Sequence, residues 1–125
     1  MILLDFKKVR TVEWEGANVT IDFIPLPSSV NNRFVRETTK EVFKGSEFDR
    51  NDRDVEKYNR LVGQYCIKDW TGFVLEDGTE APCNDENIAD VMDYGVFSDF
   101  IFAQVFSLDA LLKQEVDAAK KESLL

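Results

Sequence analysis

The sequence predicts an α+β fold, mostly helical, with an N-terminal β-hairpin packed against three to four α-helices. Three observations predict it. Residues 9–14 and 19–24 are rich in β-branched and aromatic types, and the second run alternates apolar with polar. Later stretches space their apolar residues by three and four, the period of one helix face. At 125 residues the chain is also long enough to bury one core without staples. It reads as one domain over 1–125: a hairpin region 1–27, a helical region 28–122 and a tail 123–125.

The hairpin comes first. Val19, Ile21 and Phe23 share one face of a strand, and Thr20 and Asp22 share the other. Glu15-Gly16-Ala17-Asn18 suits the loop between the two strands. Pro25 and Pro27 stop the second strand, because proline cannot donate to the ladder. Ser28 or Ser29 is then expected to cap a helix that runs through Asn31 to Phe43 and ends at Gly45. Residues 46–54 lack a pattern and are expected to form a loop.

Val55, Tyr58, Leu61, Val62 and Tyr65 trace a better helix, from about Asp52 to Lys68. An irregular or short extended piece, residues 69–75, leads to the turn signal Asp77-Gly78. Asn84 is the expected cap of a short helix, with Asp85 and Glu86 favouring the positive end of its dipole. Ile88, Val91 and Met92 are its inward face, and Gly95 is expected to end it. The last helix is expected from about Ser98 to Glu122, with an apolar first half and a polar second half.

Composition narrows the function. The net charge is −9, and residues 84–125 carry 9 acidic against 3 basic side chains, a balance that argues against nucleic acid as a partner. There is no histidine, so the usual proton carrier near neutral pH and the commonest metal ligand are missing. Cys66 and Cys83 lack CxxC spacing, and two reduced thiols in a cytoplasmic protein are the expectation. No run approaches the ~20 apolar residues of a membrane span, so no membrane association is expected. The chain carries no GxSxG, HExxH, P-loop or GxGxxG motif. Asp85, Glu86, Asp90 and Asp93 lie close in sequence, but they read as a solvated helix face rather than a metal site. No catalytic residue, metal or cofactor is predicted.

Two features carry the functional expectation. Trp70, Gly72, Asp77 and Gly78 are expected to form a structural anchor, with the Trp70 indole N–H bonded to a backbone carbonyl. The final helix is the second. Ile101, Phe102, Val105 and Phe106 cover well over a third of its circumference. A helix apolar over that width is deeply central or shares a face with another chain. Phe97, Phe100, Phe102, Phe106 and Leu108 are therefore the candidate protein-interaction residues.

The segment from Tyr65 to Leu112 resembles the tail assembly chaperones of long-tailed bacteriophages. The resemblance rests on a helix followed by Trp70-Thr71-Gly72, Asp77-Gly78, Pro82, the polar cap Asn84, and the apolar run Phe97 to Leu112. It implies a non-enzymatic, self-associating protein of the host cytoplasm. Its client would be the tape measure protein, with the tail tube protein a further contact during assembly. It also implies a longer form made by ribosomal frameshifting; Ala119-Lys120-Lys121 is a peptide that the slippery heptamer A-AAA-AAG encodes. The rival expectations are a tail-completion or terminator subunit of the virion and an acidic protein-binding inhibitor.

Overall fold

A strand that alternates apolar and polar residues needs a covering layer on one side only. The computed structural model describes residues 8–106 and shows that layer as helical. In chain order the elements are β1 (Arg10–Trp14), β2 (Val19–Phe23), α1 (Ser28–Thr38), β3 (Thr39–Lys44), β4 (Glu47–Arg53), α2 (Val55–Cys66), β5 (Ile67–Thr71), α3 (Asp85–Met92) and α4 (Gly95–Phe106). The fold is α+β, with four helices among the described residues. Val19, Ile21 and Phe23 of β2 are all buried.

β2 is the middle strand of an antiparallel sheet ordered β1-β2-β5. The β1–β2 hairpin pairs Arg10 with Phe23 and Trp14 with Val19. On the other side, Ile21 pairs with Trp70 and Thr20 with Thr71. The piece after α2 thus becomes a third strand, contributing buried Ile67 and Trp70 to the same core.

Helix α1 differs from expectation at both ends. Pro27 stands at its cap position, with φ −65°, and no side chain caps the first turn, so neither Ser28 nor Ser29 does so. The helix ends at Thr38, not Phe43. The Thr38 hydroxyl donates back to the Phe34 carbonyl at 2.7 Å, and Thr39 is already extended. Consecutive threonines and Val42 are β-branched, which disfavours helix and suits strand.

A second hairpin takes the place of the expected helix end and loop. β3 and β4 pair around Gly45-Ser46, with Gly45 at φ +65°. Gly45 therefore turns a hairpin rather than ending a helix. This pair forms its own two-stranded sheet, apart from β1-β2-β5. Every residue of β4 is exposed. Phe43 and Phe48, 53% and 57% exposed, meet edge to face at 6.0 Å near the turn. At the base, the Asp54 N–H donates to the Thr38 carbonyl at 2.7 Å.

Asp54 also caps α2, its carboxylate accepting from the Lys57 N–H at 3.1 Å. Tyr58, Val62, Gly63 and Cys66 form the buried side of α2. α3 lies close at Gly63, where Met92 and Ile88 occupy the space a side chain would need. Asn84 caps α3, accepting from the Asn87 N–H at 2.8 Å. Gly95 begins α4 rather than ending α3. Phe97, Ile101 and Val105 of α4 complete the core with β2, α2 and α3. No helix among the described residues is long and apolar enough to cross a membrane.

Candidate protein-interaction surface

Ser98, Asp99 and Gln104 are the only polar side chains of α4, so this helix is apolar almost all round. Such a helix is stable in water when most of its circumference is covered. Among the described residues the cover is one-sided. Phe97, Ile101 and Val105 face the core. Val96, Asp99, Ala103 and Phe106 recur at three- and four-residue steps on the opposite side and are exposed. Val96 is 74% exposed and Phe106 47%.

The candidate residues divide accordingly. Phe97 is 2% exposed, with Trp14 at 5.5 Å and Phe73 edge-on at 5.4 Å. It belongs to the core of the single chain and is corrected from the interaction set, because its side of α4 is covered by the hairpin and by the turn that carries Phe73. Phe100 is half-buried, stacked on Trp14 at 5.4 Å. Phe102 is half-buried between Tyr58 at 6.2 Å and Phe106 at 5.7 Å. Phe106 is the ring of this set that reaches solvent. Leu108 and the rest of the expected helix lie outside the described residues.

The Trp70 turn begins in β5, which pairs with β2 on the edge away from β1. Trp70 is buried, and its indole N–H donates to the Ala81 carbonyl at 2.8 Å. Its ring packs on Phe73 at 4.6 Å. Asp77 accepts from the Thr79 N–H at 3.0 Å and the Thr79 hydroxyl at 2.6 Å, which holds its carboxyl below the usual carboxylate range. Gly78, at φ +83°, donates its N–H to the Leu75 carbonyl. The turn it closes leaves Val74 and Leu75 exposed.

Other candidate groups are dispersed or plain. A shallow groove of about 300 Å³ lies between α2 and α3, with Lys57, Arg60 and Gln64 on one wall and Asp85 and Glu86 on the other. Its mixed charges carry no preference for either sign of ligand. Among the described residues no three His, Cys, Asp or Glu side chains are placed to hold a metal ion.

Cys66 and Cys83 are both free. Burial pushes the Cys66 thiol up to about 12. Burial, and then Asp69, Asp22 and Asp85, raise that of half-buried Cys83. A thiol reagent at pH 8 should therefore modify Cys83 slowly and Cys66 only after unfolding; peptide mass spectrometry reads the order. The folded chain keeps the Cys66 proton where the unfolded chain releases it. Stability should thus decline as pH rises from 9.0 towards about 12.

No protein-family model, curated protein or solved structure matches the chain.

The sequence pattern did not mark the β3–β4 hairpin as a functional feature. A signal was available: Gly45-Ser46 is a two-residue hairpin turn, flanked by Phe43 and Phe48 at equal distances along the two strands.

Proposed function

We propose that this protein is a non-enzymatic assembly chaperone of the phage tail kind. It binds an apolar helical client, the tape measure protein, in the bacterial host cytoplasm and self-associates while doing so. The observation that carries the reading is the side of α4 that no described residue covers, where Val96, Ala103 and Phe106 lie in line with Asp99 among them. Apolar side chains at this spacing form a ridge that a second helix packs against, and the acidic one among them favours a basic neighbour on that helix. The acidic balance of residues 84–125 supplies the charge that keeps such a surface in solution. Multivalent contact along a long client would let weak single contacts add up.

Phe106→Asp tests the reading directly. The ring is partly solvated, so the variant should keep its circular dichroism and unfolding midpoint near the parent's. Binding to a tape measure fragment, read by co-purification or calorimetry, should fall by about tenfold or more, since one buried aromatic anchor contributes roughly 1.5–3 kcal/mol. Unchanged binding by a folded Phe106→Asp chain would remove α4 as the client surface.

A further inference from the structure

The β3–β4 hairpin projects as an isolated two-stranded sheet, and among the described residues nothing pairs with the outer edge of β4. A lone hairpin is marginal in water, and a bare strand edge is a template for another strand. Natural proteins blunt such edges with charge, lysine above all, so that two copies repel. The charges of β4 follow a different rule. Asp49-Arg50-Asn51-Asp52-Arg53 is an electrostatic palindrome: read backwards from Asn51, every charge meets its opposite.

We propose that β4 is a self-association edge, on which a second copy of this chain pairs antiparallel about Asn51. The product is a continuous four-stranded sheet, β3-β4 of one protomer joined to β4-β3 of its partner. In that register Arg50 stands opposite Asp52 of the partner subunit, and Asp49, the extra residue of a bulge that β3 leaves unpaired, stands nearest Arg53 of the partner subunit. The two-fold axis repeats both, giving two attractive cross-strand pairs at the centre and an attractive contact at each end. The register is also selected against its neighbours. A slip of one residue in one direction sets Asp49 opposite Asp52, and in the other direction sets Arg50 opposite Arg53.

The lone chain shows that these groups attract at short range. The Arg50 guanidinium holds Asp49 at 2.6 Å and Asp52 at 3.0 Å along its own strand. These pairs are exposed, so exchanging them for cross-strand partners sacrifices little. Pairing adds the backbone ladder and relieves the two-strand limit. The edge is separate from α4, so one copy can hold a client on its helix and a second copy on its hairpin.

This inference deepens the self-association part of the proposed function and rests on it. The test uses two charge variants of the full chain. Asp49→Arg with Asp52→Arg makes β4 uniformly basic, and Arg50→Asp with Arg53→Asp makes it uniformly acidic. All four positions are exposed. Arg53 also lies over the Tyr58 ring, 4.1 Å from its centroid, a contact that stabilises only weakly at an exposed site, so circular dichroism should still show both chains folded. By sedimentation velocity the parent should self-associate, more weakly as salt rises. Each variant alone should associate at least about tenfold more weakly. An equal mixture of the two should recover a heterodimer, which excludes general damage as the cause of the loss. Parent chains that stay monomeric at millimolar concentration, or variants that associate as well as the parent, would overturn the proposal. In the same assay Phe106→Asp separates the two surfaces. If it alone dissociates the chain, association runs through α4 and the β4 edge is refuted while the chaperone reading stands. If it loses only the client, both surfaces hold as assigned.

Discussion

Phe97→Ala should lower the free energy of unfolding by about 3–5 kcal/mol, the cost of emptying a ring-sized core site. Phe97 ties α4 to two other parts of the structure. Trp14 of the hairpin lies at 5.5 Å and Phe73 beyond β5 at 5.4 Å. With the ring gone, Trp14 loses one of its two ring contacts, keeping the stack on Phe100, and the turn that carries Phe73 loses its edge contact with the helix. A domain of this size is stable by roughly 5–15 kcal/mol, so the loss is a large fraction of the whole. Urea unfolding is the measurement: the midpoint should fall with little change in slope, because the same surface is exposed on unfolding. Phe106→Ala, further along the same helix, should shift the midpoint far less, because its ring is half solvated already. A shift below about 1 kcal/mol for Phe97→Ala would place its ring outside the core.

That contrast also marks how far the pattern of α4 could be read in advance. Apolar residues on every side of a helix tell that it is heavily covered, but they hold no direction. Phe97, Phe100, Phe102 and Phe106 are chemically alike, and which of them faces β2 depends on where the hairpin and α2 dock. Such docking is a tertiary decision. By contrast, β2 carries its own direction: its alternation names Val19, Ile21 and Phe23 as the inner face, and all three are buried. The same holds for α3, where the cap Asn84 and the step from Ile88 to Met92 fix both start and inner side.

The β3–β4 hairpin was obscured for a different reason. Arg36 to Glu41 is polar throughout, so neither the helical nor the strand period has apolar residues to mark it. Local chemistry decided instead: β-branched Thr38, Thr39 and Val42, and the Gly45-Ser46 turn, outweigh a weak continuation of helix. A hairpin with no buried face leaves no hydrophobic signature. Its information lies in the order of charges, which becomes legible only when the strand is known to be a free edge. The β5 strand sits between these cases. Its Ile67 and Trp70 are three apart, a helical spacing, and both reach the core from a strand because a bulge at Lys68 shifts the register against β2.

Gly72→Ala should be the second large loss, about 2–5 kcal/mol, from strained backbone and overpacking together. Gly72 has φ +103°, a conformation that side chains rarely allow. It also lies against the end of the β1–β2 loop. An added Cβ would press into the Asn18 carbonyl oxygen and stand 3.0 Å from the Val19 Cα. Both are backbone atoms, and neither can rotate away as a side chain could. Asn18 is itself held at φ +55°, and the next residues along, Thr20 and Thr71, are paired in the sheet. To admit the methyl group, the loop or the end of β5 must move, and either motion pulls on Trp70 two residues back. Gly78→Ala is the control: its φ of +83° carries a similar conformational cost, but nothing lies within 4 Å. Its loss should stay near 1–2 kcal/mol, roughly the cost of a left-handed backbone alone. The difference between the two midpoints in urea isolates the contact between the Trp70 turn and the hairpin. Equal shifts would mean that Gly72 serves only its own backbone angle and that the close approach to Asn18 contributes nothing.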